Sequence, residues 1–219
     1  TATDPSSSDT FTFDWDLDND GTFETPGASA TFDASAFDGP TTVTISLRVT
    51  DDDGGSDISS TTVDVSNEAP TADAGGPYTV SEGSSVSLFG TATDPSASDG
   101  LTFDWDLDGD GVFETSGASV TFDATALDGP AIVIVTLRVT DDDGGADTSS
   151  ATINITNVAP SADAGGPYSV NEGSTVTLSG AATDPGTSDG LTFDWDLDGD
   201  GTFETPGASV TFDASGLNG

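Results

Sequence analysis

The 219 residues carry forty acidic side chains against two Arg, a formal net charge of −38, and include no Cys, His or Met; Phe, Leu, Ile and Val make up only a fifth of the chain. So acidic a chain has no basic stripe for nucleic acid and is repelled by anionic lipid; without Cys and His it lacks thiol chemistry, Ser–His relays and soft-metal zinc sites; and no apolar run approaches the roughly 20 residues of a membrane span. Low bulk hydrophobicity with high charge leaves two readings, a solvated acidic coil or a folded protein adapted to cations.

The chain repeats itself at a fixed offset of 90 residues. Thr1-Ala-Thr-Asp-Pro5 recurs as Thr91 to Pro95 and, with one change, as Ala181 to Pro185. Phe13-Asp-Trp-Asp-Leu17 recurs at Phe103 to Leu107 and Phe193 to Leu197, and Leu47 to Gly55 recurs at Leu137 to Gly145. A coil has no reason to keep such a register, and ninety residues suffice for one small core, so each copy is expected to be a folded domain. The linkers Asn67-Glu-Ala-Pro70 and Asn157-Val-Ala-Pro160 divide the chain into a partial copy over 1–67, a complete one over 68–157 and a second partial one over 158–219. The chain enters one copy midway and leaves another midway, so it is expected to be an excerpt of a longer array. The missing strands would lie on further chain or come from neighbouring molecules by strand exchange.

Within the complete copy the apolar residues keep a period of two. In chain order they are Val86 and Leu88, then Leu101, Phe103, Trp105 and Leu107, with Asp104, Asp106 and Asp108 on the opposite face. Val120 and Phe122 follow, then Val135, Leu137 and Val139, and finally Ile153 and Ile155. Turn clusters separate them at Ala74-Gly-Gly-Pro77, Asp94-Pro-Ser, Asp128-Gly-Pro130 and Asp143-Gly-Gly145. No segment keeps a helical period. Six or seven short strands in this length predict an all-β antiparallel sandwich around a central Trp.

Three co-ordered motifs carry a family resemblance over the whole chain. Trp105-Asp-Leu-Asp-Gly-Asp-Gly111 resembles an expanded form of the Trp-Asp-Phe-Gly-Asp-Gly signature of polycystic kidney disease (PKD) domains. Val139-Thr-Asp-Asp-Asp-Gly-Gly145 is similar to that family's segment before its last strand, and Asn157-Val-Ala-Pro160 with Ala164-Gly-Gly-Pro167 to its opening. The resemblance implies tandem immunoglobulin-like β-sandwiches of extracellular proteins, used as spacers or interaction modules. The turn after the Trp departs from the family by one extra residue and additional acids.

That turn has the spacing of a calcium loop. Asp106, Asp108 and Asp110 precede Gly111, the Val112 carbonyl follows, and Glu114 lies four residues beyond Asp110. Asp16, Asp18, Asp20 and Glu24 repeat the set, as do Asp196, Asp198, Asp200 and Glu204. Gly117 stands where an EF-hand has its bidentate Glu, so no helix-flanked EF-hand is implied. Two like charges ~4 Å apart repel by about 4 kcal/mol at an effective dielectric of 20, and a divalent cation turns that crowding into a binding site. The alternative is a solvated acidic hairpin. Calcium is preferred to magnesium, which demands stricter geometry.

A second, less complete set comes from the resemblance. In an immunoglobulin-like sandwich the domain entrance and two loops share one pole, which here gathers Asn67 and Glu68, Asp94 and Asp99, and Asp141, Asp142 and Asp143. PKD domains that bind calcium near this pole imply a second ion. The pole is expected to face the preceding copy's Asp-rich hairpin, where ions would stiffen the joint. Arg138 should pair across strands with Asp104 or Asp106, and Arg48 with Asp14 or Asp16. Asn154-Ile-Thr156 is a glycosylation sequon, and outward Ser and Thr are further candidates for glycans.

No catalytic constellation stands out, because the same acids recur in every copy whereas an active site is normally built once. A carbohydrate- or protein-binding module would need an exposed aromatic platform, for which Tyr78 and Tyr168 are the only candidates. The leading expectation is a non-catalytic, calcium-stiffened stalk, adhesin shaft or filament at the cell surface.

Overall fold

A computed structural model describes residues 9–217; the Thr1 to Pro5 copy of the repeated pentapeptide lies outside them. Every regular element among these residues is a strand. The first copy contributes β1 (Phe11–Asp16), β2 (Thr25–Pro26), β3 (Thr41–Asp51) and β4 (Ser56–Val65). The middle copy contributes β5 (Thr71–Asp73), β6 (Tyr78–Ser81), β7 (Ser85–Phe89), β8 (Thr91–Thr93), β9 (Thr102–Asp106), β10 (Thr115–Ser116), β11 (Ser119–Asp123), β12 (Ala131–Thr140) and β13 (Ala146–Thr156). The third contributes β14 (Ser161–Asp163), β15 (Thr175–Ser179), β16 (Ala181–Thr183), β17 (Asp194–Trp195), β18 (Thr205–Pro206) and β19 (Ser209–Asp213). No helix long and apolar enough to cross a membrane occurs among the described residues.

The middle copy is a two-layered sandwich of the immunoglobulin-like kind. One layer is a five-stranded sheet in the order β10-β9-β12-β13-β6, and the other is formed by β11 on β7 and by β8 on β5. β7 and β8 are one segment broken at Gly90, where a Cβ would stand 2.6 Å from Leu137 Cδ2 and 3.1 Å from Trp105 Cζ2. Only a residue without a side chain lets the strand pass this close to the core.

Alternation along each strand sends one face inward. Trp105, Leu88, Leu137, Val139, Val135 and Ile153 are fully buried, with Val120 and Phe122 closing the cluster and Leu101, Phe103 and Leu107 packed at its edge. The Trp105 indole N–H donates to the Gly117 carbonyl at 3.0 Å, fixing the ring at the centre. The register sets Trp105 opposite Leu137, Phe103 opposite Val139 and Asp104 opposite Arg138. One pairing differs from an all-antiparallel sandwich: β6 runs parallel to β13, with Tyr78 opposite Ile153. Period-two patterning reports which face a residue occupies, not which way its strand runs.

The first copy shows the sheet β2-β1-β3-β4 in the same register, Trp15 opposite Leu47 and Asp14 opposite Arg48. The third pairs β14 with β16, β15 with β19 and β17 with β18. Among the described residues neither copy has a full second layer, and Trp15 and Trp195 are half-buried where Trp105 is fully enclosed.

Candidate metal centres

β9 ends at Asp106 and returns as β10 through an acidic turn. Asp106 is 4% exposed. Its Oδ1 accepts the Gly109 N–H at 2.6 Å and its Oδ2 the Gly111 N–H at 2.9 Å. Asp108 Oδ1 accepts from Asp110 N at 3.2 Å, and Asp110 Oδ1 from Val112 N at 2.7 Å. These side-chain-to-backbone turns wind the chain so that Asp106, Asp108, Asp110 and Glu114 each bring a carboxylate oxygen within 4.8 Å of the others. Burial pushes the Asp106 pKa up, but the N–H donors of Gly111, Gly109, Asp108 and Asp110 outweigh it and hold the group below its ordinary value. It is therefore an anion poised for a cation.

The third copy repeats the wiring, with Gly199 and Gly201 N–H on Asp196 at 2.7 and 2.9 Å, Asp200 N–H on Asp198, and Thr202 N–H on Asp200. The Gly201 N–H leads in lowering the Asp196 pKa; Glu204 is exposed at the loop's exit. In the first copy Asp16, Asp18 and Asp20 form the close group, and Glu24 is exposed beside it. There Asn19 (φ 60°) replaces the Gly of the other two turns. Asp16, 2% exposed, still accepts from Gly21 N–H at 3.0 Å, but its Oδ1 is buried with no hydrogen-bond partner. An orphaned carboxylate oxygen among other carboxylates fits a hard cation with oxygen ligands, calcium above all. The Gly117 carbonyl is already taken by Trp105, so any ligand beyond the four acids and Val112 comes from water or from another chain segment.

Each Arg flanks this turn without entering it. Arg138 Nη2 meets Asp104 Oδ2 at 3.2 Å and its guanidinium lies 4.3 Å from the Phe113 ring centroid; Arg48 meets Asp14 at 3.3 Å and lies 4.6 Å from Phe23. Asp104 and Asp14 sit directly opposite in register, whereas Asp106 and Asp16 are committed to the turn's N–H groups. Asn154 is half-buried on β13, its amide donating to the Tyr78 carbonyl at 3.4 Å. The Tyr78 hydroxyl donates to the Ala74 carbonyl at 2.9 Å and accepts from Phe89 N–H at 3.0 Å, and Tyr168 binds Ala164 and Ser179 in the same way. Both tyrosines thus hold backbone.

The second set of acids lies where the first and middle copies meet. Asp141, 5% exposed, accepts the Asn67 amide at 2.8 Å and the N–H groups of Asp143 and Gly145 at 3.0 and 2.7 Å. The Asn67 amide leads in lowering the Asp141 pKa. Asp142 turns aside to accept the Gly100 N–H at 2.8 Å. Asp94, Asp99 and Asp141 form one close group, and Asp99 and Asp143 a second one with Asp38. Asp38, and not the Asp-rich hairpin, is the residue that the preceding copy brings to these groups. The turn Asp38-Gly-Pro40 packs on the departing linker, for a Cβ at Gly39 would stand 2.7 Å from Asn67 N, and Ser96 Oγ donates to Asp38 at 3.1 Å. A cleft of about 160 Å³ beside it is lined by Phe37, Gly39, Ser66, Asn67, Asp94 and Ser96. The repeated Asp-Gly-Pro turn was the sequence signal for Asp38, and it reads as an ordinary turn until the copies are placed end to end.

The sequence profile of the PKD domain matches residues 67–156 and again 157–217. No curated protein sequence matches the chain. Among solved structures, the PKD1 domain of Vibrio anguillarum Epp is 28% identical, with a TM-score of 0.32, over 41% of this chain and 96% of that one. Three N-terminal domains of the bacteriophage RB49 Highly Immunogenic Outer Capsid protein are 16% identical, with a TM-score of 0.36, over 98% of this chain and 79% of that one. Human CDH23 EC21-23 is 20% identical, with a TM-score of 0.39, over 77% of this chain and 66% of that one. With two consecutive profile matches covering more than half of its length, the chain belongs to the PKD domain family.

Proposed function

We propose that this chain is a non-catalytic structural array of an extracellular protein, a stalk, adhesin shaft or filament whose domains each hold calcium in the Asp-rich hairpin. The observation that carries the reading is the four-carboxylate group of Asp106, Asp108, Asp110 and Glu114, together with the recurrence of its wiring in the third copy. Residues 1–67, 68–157 and 158–219 would be successive modules, joined within one chain or through neighbouring molecules. The same acids at the same place in every copy suit a load-bearing repeat, because each copy must be stapled, and Cys-free modules have only metal ions for staples. Calorimetric titration of the whole chain with calcium tests it. We expect saturable binding that survives added sodium chloride, weaker binding of magnesium, and fewer bound ions in the double variant Asp108→Asn/Asp110→Asn. The same calcium stoichiometry in that variant as in the parent would reject the hairpin as the site.

A further inference from the structure

The outer face of the middle copy's five-stranded sheet holds a patch unlike the rest of the chain. Asn154 lies on β13 with Thr152 and Thr156 on the same face of the strand. Thr79 on β6 and Ile132 on β12 are its partners in register, and Ile134 lies two residues beyond Ile132. None of these six side chains is charged, in a chain with forty acids. Ile132 is 70% exposed and Ile134 59%, on the face that alternation gives to polar residues.

The first copy has the same place without the patch. Ninety residues earlier, Thr42 stands for Ile132, Thr44 for Ile134 and Asp64 for Asn154. The register pairs Thr42 with Asp64 as it pairs Ile132 with Asn154. Thr42 Oγ1 donates to Asp64 Oδ1 at 2.8 Å, so that pair satisfies itself at the surface. In the middle copy two changes go together: the acid becomes an amide, and its hydrogen-bonding partner becomes a hydrocarbon. The amide opens Asn154-Ile-Thr156, the one glycosylation sequon in the 219 residues.

We propose that Asn154 carries an N-linked glycan whose first sugar lies over Ile132 and Ile134. A pyranose presents an apolar C–H face beside its hydroxyls, and laying that face on the two isoleucines removes hydrocarbon from water. The bond forms between Asn154 Nδ2 and the anomeric carbon of a polyprenyl-phosphate-linked oligosaccharide. That carbon's bond to the phosphate oxygen breaks, the lipid phosphate leaves with the electron pair, and one amide proton is released. The second N–H stays on Nδ2 and keeps its contact with the Tyr78 carbonyl, 3.4 Å away. Asp64 has no amide nitrogen, so the first copy stays bare at this place. The modification rests on the extracellular setting of the function proposed above and needs none of its calcium.

The whole chain, secreted from a eukaryotic cell line that has oligosaccharyltransferase, tests the site. Intact mass should show one N-glycan, and peptide N-glycosidase in heavy-oxygen water should leave a labelled aspartate in place of Asn154. The glycan should be lost in Asn154→Gln, in Thr156→Ala and in Ile132→Thr/Asn154→Asp, a variant that rebuilds the first copy's bonded pair and so keeps the fold. Nuclear Overhauser contacts should link the first sugar's ring protons to the Ile132 methyls. Compared with Asn154→Gln, the glycoprotein should bind less apolar dye and melt higher, and both differences should vanish when Ile132→Thr/Ile134→Thr is added to each. Secreted chain bare at Asn154 would overturn the proposal, and if it also self-associates through Ile132 and Ile134 the patch is a contact between copies. A glycan without contacts to Ile132, or with no effect on dye binding and melting, would overturn it equally. Calcium titration of the glycosylated and bare chains decides the hairpin reading separately, so either can fail alone.

Discussion

Asp99 and Asp106 are both aspartates among aspartates, yet their environments push them in opposite directions. Asp106 faces a fan of backbone N–H groups and its pKa is lowered; so is that of Asp141, held first by the Asn67 amide. Asp99 faces Asp38 and rises to about 7, and Asp189, with burial leading, rises to about 6. The sign of the pH dependence follows from the protons each state binds. The lowered groups add stability above the unfolded value of 3.8 that is lost as pH falls below it. The raised groups keep protons that the unfolded chain has released, so their contribution is complete below 3.8 and disappears as pH rises toward about 7. In EDTA the melting temperature should therefore peak near the ordinary carboxylate pKa and fall on both sides. Calcium should remove the decline on the alkaline side, because a cation replaces the proton. A melting temperature in EDTA that climbs steadily from pH 4 to 7 would contradict the junction geometry.

Elements were legible in the sequence wherever one physical rule dominates. Alternation around Trp105 determined the core face of β9, and the same alternation placed Arg138 opposite Asp104. The Asp-x-Asp-x-Asp-Gly run disclosed the hairpin, because a carboxylate at every second residue before a Gly is what folds back on its own N–H groups. β6 was less legible. Its four residues pair in parallel with β13, a long-range partnership that no local pattern announces, and its end is secured by Glu82 reaching the next linker. The counterpart Glu172 is exposed. Replacing Glu82 with Gln turns one of two charge-assisted acceptors toward an N–H as a donor, and hydrogen bonds to charged groups contribute about 1.5–3 kcal/mol each. Glu82→Gln should thus lower urea stability by about 2 kcal/mol, while Glu172→Gln leaves it unchanged. Equal effects of the two substitutions would show that β6 is not anchored through this side chain.

At the scale of the whole molecule, a net charge of −38 with two Arg describes an array short of countercharge. That deficit was plain from composition. Its address was not: Asp38 and Asp99 are 61 residues apart and belong to different copies, so only their packing reveals that their carboxylates meet. Diffuse repulsion and site binding respond differently to salt. Monovalent salt shortens the screening length from about 10 Å at 0.1 M to about 3 Å at 1 M, which relieves charges spread over the surface but does little for carboxylate oxygens gathered within 4.8 Å of one another. A bound ion at 100 times its dissociation constant adds about 2.7 kcal/mol per site to the folded state. Thermal melts at matched ionic strength should therefore show calcium chloride raising the transition well beyond sodium chloride. The gain should shrink in steps as hairpin and junction carboxylates are neutralised separately and then together. Coincident melts in the two salts would mean that the array tolerates its charge by screening alone, and that neither set of carboxylates holds an ion.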